Sequence, residues 1–244
     1  MVYIREGAPS HVRSIAADFT NRGIALPTEI TEALTHLDTI EAARPEQAGP
    51  IDLTNAYLDG ATPKQIDTLA VAAATSTIRA TAWREARIKQ ALRTLRLFPA
   101  YGDELTHALA ELAAPLIANL EHAATIDAEL GALVRAGRHD DAAIIGRIDI
   151  DAEELQCLYS IRGTVTTGAV WMVDWTDCSQ WKDPHKLDTV EYHGTATDRY
   201  RAGIRAGAGL WFPTPDEAVA QAEPIAAEIR EGNRTAVRTG ANYA

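Results

Sequence analysis

The chain has 244 residues, 46% hydrophobic and 23% charged, with a formal net charge of −11. That balance fits one large or two small globular domains with a real core. It excludes a disulfide-stapled mini-protein, because Cys157 and Cys178 are the only cysteines. The acidic charge argues against general nucleic-acid binding, which needs a positive field, and no apolar run reaches the ~18 residues of a membrane-spanning helix. The start, Met1-Val2-Tyr3-Ile4-Arg5-Glu6-Gly7, lacks the apolar stretch of a secretory signal, so a cytoplasmic product is expected.

Residues 1–8 read as an extended arm. Pro9 to Arg22 suits a short amphipathic helix, with Val12, Ile15, Ala16 and Phe19 on one face and Gly23 as its stop. A second helix opens at Pro27, carries Ile30, Leu34, Leu37 and Ile40, and ends at Arg44-Pro45. A loop at 47–50 and one or two helical turns from Asp52 to Leu58 follow, closed by Asp59-Gly60. Between Thr28 and Gly60 there are seven acids and one base, Arg44.

The stretch Thr62 to Arg138 reads as two long helices. Thr62-Pro63-Lys64-Gln65 is a capping box with proline at the first helical position, and neither Gly nor Pro follows until Pro99. Phe98-Pro99-Ala100-Tyr101-Gly102 breaks the helix, and Asp103 caps the next. That helix carries Leu105, Leu109, Leu112, Leu116, Ala123, Ile126, Leu130 and Leu133 at alternating four- and three-residue steps, with Asn119 in the seam and Pro115 as a kink or split point. A short connection predicts an antiparallel hairpin of 62–98 against 103–136. Leu109, Leu112, Leu116, Ile126 and Leu130 are its expected core.

Charge agrees with such a pairing. Arg79, Arg84, Arg87, Lys89, Arg93 and Arg96 fall within 79–96 beside one acid, Glu85, whereas 103–129 holds six acids and no Lys or Arg. The favoured reading is internal charge matching by the acids of 28–60 and 103–129; the alternative is a basic face free for a nucleic acid or an acidic partner.

Beyond Arg138 the β-branched run Ala143 to Ile150 predicts a strand, and Asp151 a cap for a short helix. Leu158 to Val165 and Ala169 to Trp175 read as a β-hairpin about Thr166-Thr167-Gly168. Trp171, Trp175, Trp181 and Trp211 are four of the five tryptophans, and their density makes them candidate partner contacts. The stretch 177–197 reads as loop, and Gly203, Gly207 and Gly209 loosen the approach to Leu210. Thr214-Pro215-Asp216-Glu217 is a second capping box, opening a helix through Ala218, Ala222, Ile225 and Ile229 to Gly232. Residues 233–244 read as a flexible tail.

Chemistry is sparsely marked. Glu104-x-x-His107 places a carboxylate and an imidazole on one helical face, but a di-iron bundle needs the pair twice with two further glutamates, and no second copy exists. Cys157, Cys178, His185 and His193 lack the close ligand pairs of zinc knuckles. Asp149-x-Asp151 has a metal-holding spacing that is common by chance. Gly203-x-x-x-Gly207-x-Gly209 is not a phosphate loop, and neither Gly-x-Ser-x-Gly nor His-Glu-x-x-His occurs. No catalytic residue, metal ligand or cofactor site is therefore assigned.

The sequence thus predicts an α+β protein, predominantly α. A helical domain at 1–138 carries the long hairpin, and a smaller mixed module at 139–232 carries the β-hairpin. The expected function is a non-catalytic assembly or interaction protein that self-associates or binds a protein partner, away from membranes. Its specific form is a phage virion component from a GC-rich host, since 19 Arg stand against 4 Lys. The alternatives are a regulatory or nucleic-acid-associated protein using 79–96, and an enzyme with an unmarked site near 171–193.

Overall fold

The computed structural model describes residues 6–45, 53–165, 175–187, 190 and 194–239. Every regular element among them is helical, apart from one isolated antiparallel bridge between Trp181 and Leu210. The described chain is therefore all-α, not α+β. It divides into two compact units, Met1–Ala100 and Tyr101–Ala244.

The first unit holds α1 (Ala8–Thr20), α2 (Thr28–Ala42), α3 (Leu53–Leu58) and α4 (Pro63–Leu95). Helix α1 ends as its sequence dictates. Gly23 takes φ 76°, which a side chain would resist, and this lets the Ile24 N–H reach the Phe19 carbonyl at 3.1 Å. Helices α1 and α2 both pack on α4. Val12, Ile15, Phe19, Ile30, Leu37, Ala91 and Phe98 are buried, with the Phe19 and Phe98 rings 6.3 Å apart. Two side chains of α4 stitch it to α2: Gln90 Nε2 donates to the Ala33 carbonyl at 3.1 Å, and Trp83 Nε1 to the Ile40 carbonyl at 2.7 Å. The predicted capping box is formed, Gln65 Oε1 accepting from the Thr62 N–H at 2.8 Å.

The second unit holds α5 (Gly102–Ala124), α6 (Leu130–Arg135), α7 (His139–Val165), α8 (Trp175–Gln180), α9 (Ala196–Arg205) and α10 (Pro215–Thr239). Helix α7 is its centre; α5, α6 and α9 all pack on it, and α8 packs on α10. Leu105, Leu109 and Leu120 of α5 meet a core that includes Ala152, Leu155, Leu158, Ile161 and Val165 of α7. Ile126, Leu133 and Ala142 form a satellite cluster.

Three sequence expectations are overturned. The run 143–150 and the first arm of the β-hairpin, 158–165, both lie inside α7. Buried residues there recur at Ile148, Ala152, Leu155, Leu158, Tyr159, Ile161, Arg162 and Val165, a helical period that continues straight through the β-branched stretch. The second arm, 169–174, lies outside the described residues. The two arms of the expected helical hairpin, 62–98 and 103–136, belong to different units. Helix α4 packs with α1, α2 and α3, while α5 packs with α7 and α9, so each partner lies within its own unit. Finally, Asp151 is no helix cap; it is buried in the middle of α7.

The predicted second helix also stops early, at Ala124, and runs unbroken through Pro115. Arginines of α9 hold the end of this helix. Arg201 Nη2 and Arg205 Nε of α9 donate to the Ile126 and Ala124 carbonyls, both at 3.0 Å, and Arg205 Nη2 reaches Asp127 at 2.6 Å. Cations at a helix C-terminus satisfy the last carbonyls and oppose the negative end of its dipole.

Candidate functional site

Trp181 and Trp211 differ in exposure. Trp181 is fully buried, its ring 6.0 Å from that of Tyr200, so it is core. Trp211 is half-buried and donates from Nε1 to the Cys178 carbonyl at 3.2 Å. Trp175 opens α8, and Trp171 lies outside the described residues. Gly203, read from sequence as a loosening residue, is instead a buried position within α9. A Cβ there would stand 2.3 Å from the Trp181 ring, so only glycine admits the indole.

The second unit also buries a cationic side chain. Arg162 on α7 is 4% exposed. Its Nη2 donates to the Ser179 carbonyl at 2.8 Å and its Nη1 to the Pro213 carbonyl at 3.3 Å. The guanidinium also lies 5.0 Å from the Tyr159 ring centre and 4.7 Å from that of Phe212. Burial lowers the Arg162 pKa to about 10 and raises that of Tyr159, whose hydroxyl donates to the Trp211 carbonyl at 2.7 Å. Burial likewise raises Tyr200 to about 12. These groups tie α7, α8 and the 210–214 segment together. Packed rings and backbone partners make this a structural clamp.

The candidate metal groups are dispersed or occupied. Asp149 accepts from Thr197 Oγ1 at 2.6 Å, whereas Asp151 accepts from Asn119 Nδ2 at 2.8 Å and from Arg147 at 2.9 Å. Asn119, expected in the seam of the helical hairpin, instead faces α7 through Asp151. His107 Nδ1 lies 2.7 Å from the Asp103 carbonyl oxygen, within its own helix. Cys157 is exposed, Cys178 is buried, His185 lies 3.7 Å from Glu228, and His193 falls outside the described residues. Among the described residues no three His, Cys, Asp or Glu side chains converge as a metal site would require. An exposed set, His122 and Arg138 on Asp141, sequence reading missed. His122 Nε2 lies 2.7 Å from Asp141, and its hydrogen bond, with that of Arg138, lowers the Asp141 pKa.

The remaining candidate is α4. Its six cations do not make one face. At 100° per residue, Arg84 and Arg87 point away from Lys89, Arg93 and Arg96, with Arg79 to one side. Arg87 lies 3.9 Å from Glu41 and 5.1 Å from the Trp83 ring centre, a ring that Arg44 also faces at 5.6 Å. Glu41 and Asp38 meanwhile hold Arg13 at 2.8 and 2.6 Å. Lys89 pairs within its helix with Glu85 at 3.3 Å. Of the matching expected with the acids of 28–60, Arg87 with Glu41 is the pair seen among the described residues. Arg79, Arg84, Arg93 and Arg96 are exposed, with no acid partner within their unit among the described residues.

More unexpected is what α4 leaves uncovered. No residue from Asp67 to Lys89 is buried. Val71 and Ile78, one heptad apart on one face, are 65% and 68% exposed. Tyr57 and Leu58 of α3 are exposed too. The signal was present in the sequence: Thr68 to Ile78 holds no charged residue.

No family model, curated protein or solved structure matches this chain. Among the described residues no helix is long and apolar enough to cross a membrane.

Proposed function

We propose that the chain is a non-catalytic assembly protein that uses the uncovered run of α4 as its contact surface. The observation that supports this is the 33-residue length of α4 against the absence of any buried residue from Asp67 to Lys89. Isolated helices of ~12–15 residues are marginal in water, and most helical stability in proteins comes from packing an amphipathic face. A helix that leaves Val71 and Ile78 in solvent gains that packing from a partner. The finer form of the proposal is a structural component of a phage virion from a GC-rich host, which rests on composition alone. Light scattering on the full chain over a concentration series tests the reading. Assembly requires a mass above the 26.4 kDa of one chain; a monomer at every concentration refutes it.

A second reading is favoured by Arg79, Arg84, Arg93 and Arg96, which are exposed and have no acid partner within their unit among the described residues. These would serve a regulatory or nucleic-acid-associated protein. Against it stand the net charge of −11 and the splitting of the cations between two faces. A polarisation titration against DNA and RNA at two salt concentrations separates the two. Binding that weakens steeply with salt and vanishes in Arg93→Glu/Arg96→Glu favours this reading.

A further inference from the structure

We infer that the occupant of the uncovered face of α4 is the same face of a second copy of this chain, running antiparallel about a two-fold axis between Ala74 and Thr75. This rests on the assembly reading above and goes further by naming the partner and the register. At 100° per residue, Lys64, Asp67, Val71, Ala74, Ile78, Ala82 and Glu85 fall within about 60° of one line along the helix, at heptad-like spacing. The middle of that line is apolar and its ends are charged.

The charge order decides the partner and its direction. A two-fold axis between 74 and 75 sets each residue n opposite 149 minus n. Val71 then meets Ile78 twice, and Ala74 meets Thr75, small enough for close approach at the axis. Lys64 meets Glu85 twice, one pair at each end. Asp67 comes within one helical turn of the copy's Arg79. A parallel pair would set Lys64 against Lys64 and Glu85 against Glu85, so the same pattern opposes it. Lys64 has no acid partner among the described residues, and Glu85 holds only the exposed Lys89, a weak intrahelical pair that a second cation joins without a buried charge.

The surface is modest. From Lys64 to Glu85 the strip is roughly 33 Å long and ~10 Å wide, below the ~800 Å² per partner of a standard interface. The dimer is therefore reversible and forms with rising concentration.

The test uses the full chain and sedimentation equilibrium. The wild type is expected to reach twice 26.4 kDa. Ile78→Asp should abolish the dimer while far-UV circular dichroism stays unchanged, because the side chain is exposed. Lys64→Glu and Glu85→Lys should each weaken the dimer by roughly tenfold, since each change sets like charges together twice. The double swap Lys64→Glu/Glu85→Lys should restore it, a result that only this register yields. An oligomer that Ile78→Asp abolishes but the charge variants leave unchanged overturns this inference and leaves the assembly reading standing, whereas one indifferent to all four variants overturns both. A chain that stays monomeric overturns both.

Discussion

Replacing Gly203 with alanine sets two opposed effects against each other, and the structure says which wins. In a helix interior the exchange alone favours Ala by up to about 1 kcal/mol. At this position, however, the new Cβ would lie 2.3, 2.7 and 2.9 Å from Cη2, Cζ3 and Cζ2 of Trp181. Those atoms belong to a rigid ring with no exposed surface, next to Tyr200, so they cannot swing into solvent. Overpacking a closed core costs about 1–3 kcal/mol or more, which outweighs the gain in propensity. Gly203→Ala should therefore destabilise the second unit, by up to ~2 kcal/mol or more after the propensity gain is subtracted. Gly163→Ala is the matched control. Gly163 is also helical, and its Cβ would meet nothing within 4 Å, so that variant should be more stable by about 0.5–1 kcal/mol. Urea unfolding followed by tryptophan fluorescence reads both, since four of the five tryptophans lie beyond residue 100. In a Trp181→Phe background the smaller ring should remove most of the Gly203→Ala penalty. A midpoint for Gly203→Ala at or above the wild-type value would refute the reasoning.

Leu109→Ala should cost ~2–5 kcal/mol because the residue is fully buried, while Leu112→Ala, 37% exposed, should cost under ~1 kcal/mol; equal shifts in melting temperature would contradict this. Arg162→Met should lose roughly 2–4 kcal/mol, because the Ser179 and Pro213 carbonyls lose a charged donor; an unchanged urea midpoint would remove the clamp assignment. Tyr200 stays neutral in the fold up to about pH 12. The unfolded phenol ionises near ~10, so the unfolded state binds fewer protons between those values. Stability should fall as pH rises through that window, with at most about 2–3 kcal/mol from Tyr200, and Tyr200→Phe should make this limb of the melting curve shallower while Tyr159, also raised by burial, keeps the rest.

Helix starts and stops were legible because they are local chemistry. The boxes at Thr62 and Thr214 form as their residue types require, and Gly23 and Gly60 take positive φ. What failed depended on period and partner. The leucine stripe of α5 was read at strict four-three steps, yet the buried set is Leu105, Leu109, Ala113, Leu120 and Ala123. A straight helix turns every 3.6 residues, so a 3.5-residue stripe drifts off the packed face and leaves Leu112 at its edge. The β-branched run in α7 reads as a strand over eight residues, whereas the helical period appears only over the full 27. A third capping box, Thr195 with Asp198, lies inside a polar stretch that reads as loop. For the candidate site, the charge-free segment of α4 was visible in sequence, but its lack of cover was not, because exposure depends on where other helices lie. Clustered tryptophans suggested a surface for the same reason, and burial of Trp181 removed it from that set.

The arginines that close the end of α5 have a consequence for synthesis. Their hydrogen bonds to Ile126, Ala124 and Asp127 span 75, 81 and 78 residues of chain. Helix α5 therefore leaves the ribosome long before the cations that complete it. The partners of α4 within the first hundred residues precede it, so that unit can close as soon as its last helix emerges. The second unit must wait until Arg205 is out of the exit tunnel, and its long-range closure should set the slower step of folding. A stalled nascent chain ending between α5 and α9 should thus carry a protease-resistant first unit and a second that is still digested.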